Sequence, residues 1–398
     1  MRNRIKMNYN HTIYASYIGY IVQAINNNFA PLLFITFASE FYLNLEKITL
    51  LTTINFLVQL LVDLISAKVV DKVGYRAALM FGHMASVLGL IGMAVFPTLF
   101  TNAYTGLLMA VVFYAIGGGI MEVLVSPIVE ACPTSKKEAA MSLLHSFYCW
   151  GHVGVVLIST LFFKVFGIEN WQILAGIWAI VPLVNTFYFA IVPIYPIVSE
   201  HEKLSLRGLL GQKVFWILIV LMVCAGASEQ AMSQWASAFA ESGLGVSKSM
   251  GDLAGPCAFA TLMGTARALY GKYSDRLPLM KVMKGSALLC IGCYLLATLT
   301  QNALVSLIGC ALCGFSVGIF WPGTFSMAAN KLVGGGTAMY ALMALAGDLG
   351  CSAGPTVVGM AANLFGGSLN AGILCAVVFP IVMLGGLFGF DRDRKEAR

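Results

Sequence analysis

Apolar stretches of about 20 residues recur along this chain at a spacing of about 30 residues, and that repetition limits what it can fold into. A helix of about 20 apolar residues crosses the hydrocarbon of a bilayer. Inside that hydrocarbon, only structures that satisfy every backbone donor and acceptor internally survive. Twelve such stretches are predicted, at 13–39, 47–70, 77–99, 104–128, 140–163, 170–193, 214–240, 249–270, 282–300, 303–328, 337–362 and 369–390, numbered below as spans 1 to 12. Most connectors are very short. The longest, 194–213 from Tyr195 to Lys213, divides the spans six and six. The expected fold is all-α: a polytopic membrane protein with twelve transmembrane helices in two pseudo-symmetric six-helix bundles, 1–193 and 214–398, joined by a cytoplasmic linker.

Composition agrees. Hydrophobic residues make up 59% of the 398 and charged residues 11%, whereas a soluble domain carries roughly 25% charged residues. The ten cysteines sit mostly inside apolar runs, as Cys224, Cys257, Cys351 and Cys375 do, so they read as small packing residues and not as a disulfide framework. Two CxxC pairs, Cys290/Cys293 and Cys310/Cys313, have the spacing of a zinc site. Both lie in hydrophobic segments, where four thiolates would need compensation, so no metal and no cofactor is expected. The basic start (Arg2, Arg4, Lys6) is followed by a run too long and too polar for a cleavable signal. No soluble catalytic appendage is expected at either end.

The placement of charge tests the map. With the N-terminus inside, 21 of the 24 Lys and Arg fall in cytoplasmic segments, and only Lys47, Lys164 and Lys248 fall outside. This is a strong positive-inside bias, and an odd number of spans would scramble it. Both termini are therefore expected in the cytoplasm, with a bacterial inner membrane as the expected location.

A weak repeat joins the halves. The loop after span 2 reads Asp71-Lys72-Val73-Gly74-Tyr75-Arg76, and the loop after span 8 reads Gly271-Lys272-Tyr273-Ser274-Asp275-Arg276, its aspartate 204 residues after the first. Such pairs are what an internal duplication leaves. These loops, with Arg267 four residues before Gly271, resemble the loop motif of the major facilitator superfamily. The first copy departs from it at Ala67, where glycine is usual, and at Tyr75. An Asp at a helix end beside a loop Arg can latch two half-bundles in one state. Asp71, Lys72, Gly74, Arg76, Arg267, Gly271, Asp275 and Arg276 are the gating candidates, with Asp63, two turns before Asp71, beside them. The plainer reading is a topogenic basic loop.

Within that superfamily the chain resembles the sugar-permease branch typified by fucose permease. The likeness rests on Gly117-Gly118-Gly119-Ile120-Met121-Glu122 with Ser126-Pro127 in span 4, and on Leu144-His145-Ser146-Phe147-Tyr148-Cys149-Trp150-Gly151 in span 5. Phe320-Trp321-Pro322 in span 10, and Gly347-Asp348-Leu349-Gly350 with Gly354-Pro355 in span 11, add to it. The resemblance implies a proton-coupled carrier with Glu122 as a coupling acid. It would also imply an acid four residues before Pro31, where this chain has Asn27.

Carboxylates inside a bilayer are functional candidates by default. Glu122 stands one turn after three glycines that permit close approach, and reads either as a proton carrier or as a structural acid held by polar partners. Glu229 is followed by Gln230, Gln234 and Trp235, a face that can bond hydroxyls and stack on a sugar ring, or clamp two helices. Asp348 lies between glycines, as a packing clamp or a coupling-ion site. His145, Tyr148 and His152, at i, i+3 and i+7, share a face that suits a polyol, a proton relay or interhelical bonds. Of Asn26, Asn27 and Asn28, the family alignment points to Asn27 as facing the cavity. His83 and Trp171 are placed near interfaces, and Pro31, Pro127, Pro322 and Pro355 at bends or breaks.

No GxxxxGK[ST] loop is present, so ATP is not the expected driver. No HExxH, no GxSxG and no acidic metal cluster supports an enzyme. The expected function is secondary transport of a small polar solute, a sugar or polyol taken up with protons, with sodium as the alternative ion. Gly151 and Gly154 are followed by no Pro, so the span 5 signature of many superfamily antiporters is missing. Efflux of a small metabolite or drug, and a sensor without flux, are the alternatives. No lysine is placed deep in a span and no cluster of deep cations is found, which tilts against anions. The expected partners are the solute, the coupling ion and the lipid bilayer, with no nucleic acid; a monomer is the default.

Overall fold

The computed structural model describes residues 8–134, 137–195, 206–273, 276–332 and 336–396. No strand occurs among them, and ten helices are long and apolar enough to cross a membrane. The helical stretches Lys248–Tyr273 and Gly336–Leu364 stand where spans 8 and 11 are expected, with more polar and glycine residues than the rest. The protein is an all-α polytopic membrane protein. Helices Tyr75–Leu99, Ala103–Ala131, Leu279–Leu299 and others meet the expected edges within a few residues, because a run of apolar side chains must be long enough to span whatever surrounds it.

Prolines decide where spans break. A proline lacks the N–H that residue i−4 needs. Span 1 runs Tyr9–Asn28, tightens into a 3-10 turn at Ala30–Leu33 around Pro31, and resumes as Phe34–Glu40. Span 10 parts between Ala303–Val317 and Phe320–Lys331, with Pro322 just beyond. Span 12 parts between Leu369–Cys375 and Val378–Glu396, four residues ahead of Pro380. Span 7, Lys213–Ser233, continues through Ala236–Ala238 into a π-helical turn at Phe239–Gly243. Span 8 contains its own π turn, Leu253–Cys257, around Pro256. Pro127 and Pro355 lie inside unbroken helices.

The residues cluster into two compact units, Met1–Ala30 with Val58–Ser199, and Pro31–Leu57 with Glu200–Arg398. In the first, glycines let helix backbones touch. A side chain at Gly89 would collide with Tyr114, and one at Gly117 with the Gly82 carbonyl and Ser86. A buried polar staple crosses three helices. His83 bonds the Leu79 carbonyl at 2.8 Å through Nδ1 and Asn185 at 2.7 Å through Nε2, and Asn185 donates to the Ala15 carbonyl at 3.0 Å. His83 and Trp171 are both fully buried, with neighbouring helices supplying their partners or packing. The second unit is built on span 7 against span 11, where Gly226, Gly347, Gly350 and Gly354 lie at the contact. All ten cysteines are free; Cys290, Cys293, Cys310 and Cys313 are buried in spans 9 and 10, consistent with packing.

Candidate functional site

In the first unit, span 1 carries a ladder of amides at i, i+3, i+4 and i+5, each reaching a different partner. Gln23 Nε2 donates to Glu122 Oε2 at 2.7 Å. Asn26 Nδ2 donates to the Ser86 hydroxyl at 2.8 Å. Asn27 and Gln59 pair through both amides, at 2.8 and 3.5 Å. Asn28 Nδ2 reaches the Ala24 carbonyl at 2.9 Å and the Tyr148 hydroxyl at 3.4 Å. Glu122 is half-buried, and the glycines before it explain how spans 2 and 3 come so close: Gly117 abuts Ser86, and Gly118 and Gly119 abut Gln59. The amide oxygens Gln23 Oε1 and Asn26 Oδ1 are buried with no hydrogen-bond partner among the described residues. Buried acceptors of this kind are uncommon and invite a donor.

The three span 5 candidates differ in environment. His145 is exposed, its ring 5.3 Å from Tyr20; Tyr148 is half-buried against Asn28; His152 is buried. Asp63 is half-buried.

In the second unit, Arg267 Nη2 meets Glu229 Oε2 at 3.3 Å, and Arg267 Nε donates to the Gly318 carbonyl at 3.1 Å. Glu229 lies about 24 Å along the helix axis from Lys213, and is 8% exposed. The long Arg267 side chain thus reaches inward from span 8 and brings one cation to Glu229. Gln234 Nε2 donates to Gln230 Oε1 at 3.1 Å, and Gln230 Nε2 to Glu229 Oε1 at 3.4 Å, so the amides run in a line to the carboxylate. Trp235, 1% exposed, donates to the Pro355 carbonyl at 3.0 Å and lies against Phe34. Asp348 is buried on span 11.

The loop motifs have local roles where they are described. Gly74, at φ +87°, ends one helix with its N–H on the Val70 carbonyl and starts the next, a backbone shape that a side chain would strain. Arg76 donates to the carbonyls of Phe189 and Val192 at 2.5 and 2.8 Å, capping the end of helix Trp171–Ile191. Arg276 is exposed. Asp275 and the side chains of Asp71, Lys72 and Gly271 lie outside the described residues.

Asp252 is a residue the sequence reading missed. It is fully buried, bonded to Ser237, and paired with Lys248 at 2.9 Å. The signal was available: Lys and Asp four apart at a helix start can pair. Beyond the end of span 7, burial raises the Glu241 carboxyl above its ordinary range, while Lys248 lowers it and Asp252 raises it. An apolar groove of about 460 Å³ on spans 2 to 4, lined by Leu61, Ile65, Phe81 and Ile120 among others, includes none of the candidate polar residues.

Helices that cross a membrane, with amide and carboxylate side chains deep in each unit, define a polytopic solute transporter. A family model of the Major Facilitator Superfamily matches residues 16–355, and the chain belongs to that family, whose members are transporters and not enzymes. No curated protein matches. Among solved structures, a D-xylose–proton symporter is similar at 11% identity and TM-score 0.78, covering 96% of this chain and 97% of that one. A bacterial homologue of the human lysosomal transporter Spinster, inward-facing and occupied, is similar at 15% identity and TM-score 0.76, covering 96% and 97%. The fucose:proton symporter of E. coli is similar at 15% identity and TM-score 0.64, covering 95% and 98%. At these identities the likeness is one of fold.

Proposed function

We propose that this chain takes up a small polar solute, a sugar or polyol, together with a proton by alternating access. The observation that carries the reading is the 2.7 Å bond from Gln23 Nε2 to Glu122 Oε2. A neutral amide can hold a carboxylate in either protonation state. Because an ion costs several kcal/mol at membrane depth, a proton is a natural counter-charge while the protein rearranges around it. The unpartnered amide oxygens of Gln23 and Asn26 favour a solute rich in hydroxyl donors. Two of the similar structures are named as sugar–proton symporters, which fits.

The termini are placed in the cytoplasm of an inner membrane, on the bias of basic residues, and the working unit is a monomer. Asp63, the Asp71–Arg76 loop and the Gly271–Arg276 loop gate the cytoplasmic side. Breaks at Pro31 and before Pro322 supply bending points.

The test is uptake of radiolabelled sugars and polyols into proteoliposomes under an inward proton gradient, wild type against Glu122→Gln. Accumulation that needs the gradient and disappears in the variant supports the reading. Gradient-dependent accumulation that survives in the variant removes Glu122 from coupling. No flux of any solute sinks transport of this class and favours the sensor.

A further inference from the structure

We propose that Arg267 binds a carboxylate on the transported solute, so that the solute is a polyhydroxylated acid, and that Glu229 is the resident anion it displaces. This rests on the transport reading above and narrows its solute class.

The argument begins at Pro322. A helix through span 10 would pair the Gly318 carbonyl with the N–H of residue 322, and proline has none. The helix parts between Val317 and Phe320, and Arg267 Nε takes that carbonyl at 3.1 Å. The guanidinium is thereby held by backbone that does not depend on Glu229. Its contact to Glu229 is 3.3 Å, longer than the roughly 2.7–2.9 Å of a good charge-assisted bond. The cation thus has a backbone anchor besides Glu229.

Retaining both charges also needs a reason. Glu229 is almost wholly buried beside a partly exposed Arg267; burying a carboxylate is costly, and well-packed apolar residues serve a merely structural contact at least as well. Arginine, with its planar fork, suits recognition of a carboxylate from outside the chain. Gln230 and Gln234 continue the same line from the site and supply hydroxyl-binding amides.

Charge balances in the exchange. Arg267 and Glu229 together are neutral. A bound monocarboxylate adds one negative charge, and one proton taken by Glu229 from the medium offsets it. The proton and the acid then enter and leave together, which ties the solute to the gradient at this site.

The test uses the full chain in proteoliposomes with an inward proton gradient. The radiolabelled panel pairs D-gluconate, D-glucuronate and D-galacturonate with D-glucose, D-galactose and sorbitol. The expected result is uptake of at least one acid. In Arg267→Gln its apparent affinity falls by about tenfold or more, with Arg267→Lys between the two. Glu229→Gln keeps acid binding and weakens the gradient dependence of acid uptake, Glu122 still carrying its proton. If Arg267→Gln does not fold, Arg267→Gln with Glu229→Gln removes both charges and leaves no lone buried ion; the same loss of acid affinity is expected of it.

Uptake of neutral sugars with no acid carried or competing overturns the proposal while leaving proton-coupled sugar transport standing. Equal weakening of neutral and acidic solutes in Arg267→Gln also overturns it, since that is the signature of a structural pair. Binding of no solute at all overturns both readings.

Discussion

Replacing Gly350 with alanine tests whether glycine contacts hold span 7 against span 11. A Cβ built there would lie 2.8 Å from the Val223 carbonyl carbon and 2.9 Å from the Ala227 nitrogen, with the Val223 oxygen closer still. All three are backbone atoms, so no side chain can rotate aside. Relief requires the helices to part, yet Gly226 and Gly354 make similar backbone contacts between the same two helices. Overpacking of this kind costs about 1–3 kcal/mol. Alanine regains about 0.5–1 kcal/mol of helix preference over glycine, so Gly350→Ala should lose up to about 2.5 kcal/mol net. Gly154→Ala is the matched control. Nothing lies within 4 Å of its added Cβ, so it should gain about 0.5–1 kcal/mol. The assay is thermal unfolding in detergent with a thiol-reactive dye, for which nine buried cysteines and one exposed give the contrast. A lower Tm for Gly350→Ala with an unchanged or higher Tm for Gly154→Ala is expected. Equal shifts in both variants would refute the packing argument.

Two further outcomes concern the polar cluster at the start of span 8. Asp252→Ala removes the carboxylate paired with Lys248 and a partner of Ser237; because Lys248 retains 20% exposure and its bond to Ser237, the expected loss is about 1–3 kcal/mol. A double-mutant cycle with Lys248→Met should show coupling, and strict additivity of the two losses would deny the pair. Glu241 has a folded pKa raised above its usual 4.5. The folded state therefore holds its proton more tightly than the unfolded state. This contribution to stability is complete below pH 4.5 and is lost as pH rises through the raised value. Tm measured against pH should fall over that window in wild type and fall less in Glu241→Gln; superimposable profiles would remove Glu241 from the effect.

Asp252 and Arg267 show where a reading of the chain alone reached its limit. The Lys248–Asp252 spacing is legible in the sequence, but a charge at a helix start reads as solvated, and only the packing that brings Ser237 onto Asp252 shows it buried. Arg267 sits six residues before the end of its helix, where a long side chain could as well have reached toward the loop. Its direction depends on the Gly318 carbonyl, 51 residues later in the chain. For Glu122, the position inside a span and the glycines ahead of it were visible, but its Gln23 partner 99 residues away was not.

By itself the sequence determined the all-α membrane fold, the spans, and the placement of their breaks at Pro31 and near Pro322. Each follows from a local property, because a bilayer tests one helix at a time for apolar length and a proline acts on its own turn. The tertiary structure decided which polar groups meet: Gln23 with Glu122, Asn27 with Gln59, His83 with Asn185 and Arg267 with Glu229. Those meetings depend on the rotation of each helix about its axis and on which neighbour it packs against. Both are set by many small contacts, such as those at Gly117 and Gly350, between residues far apart in the chain.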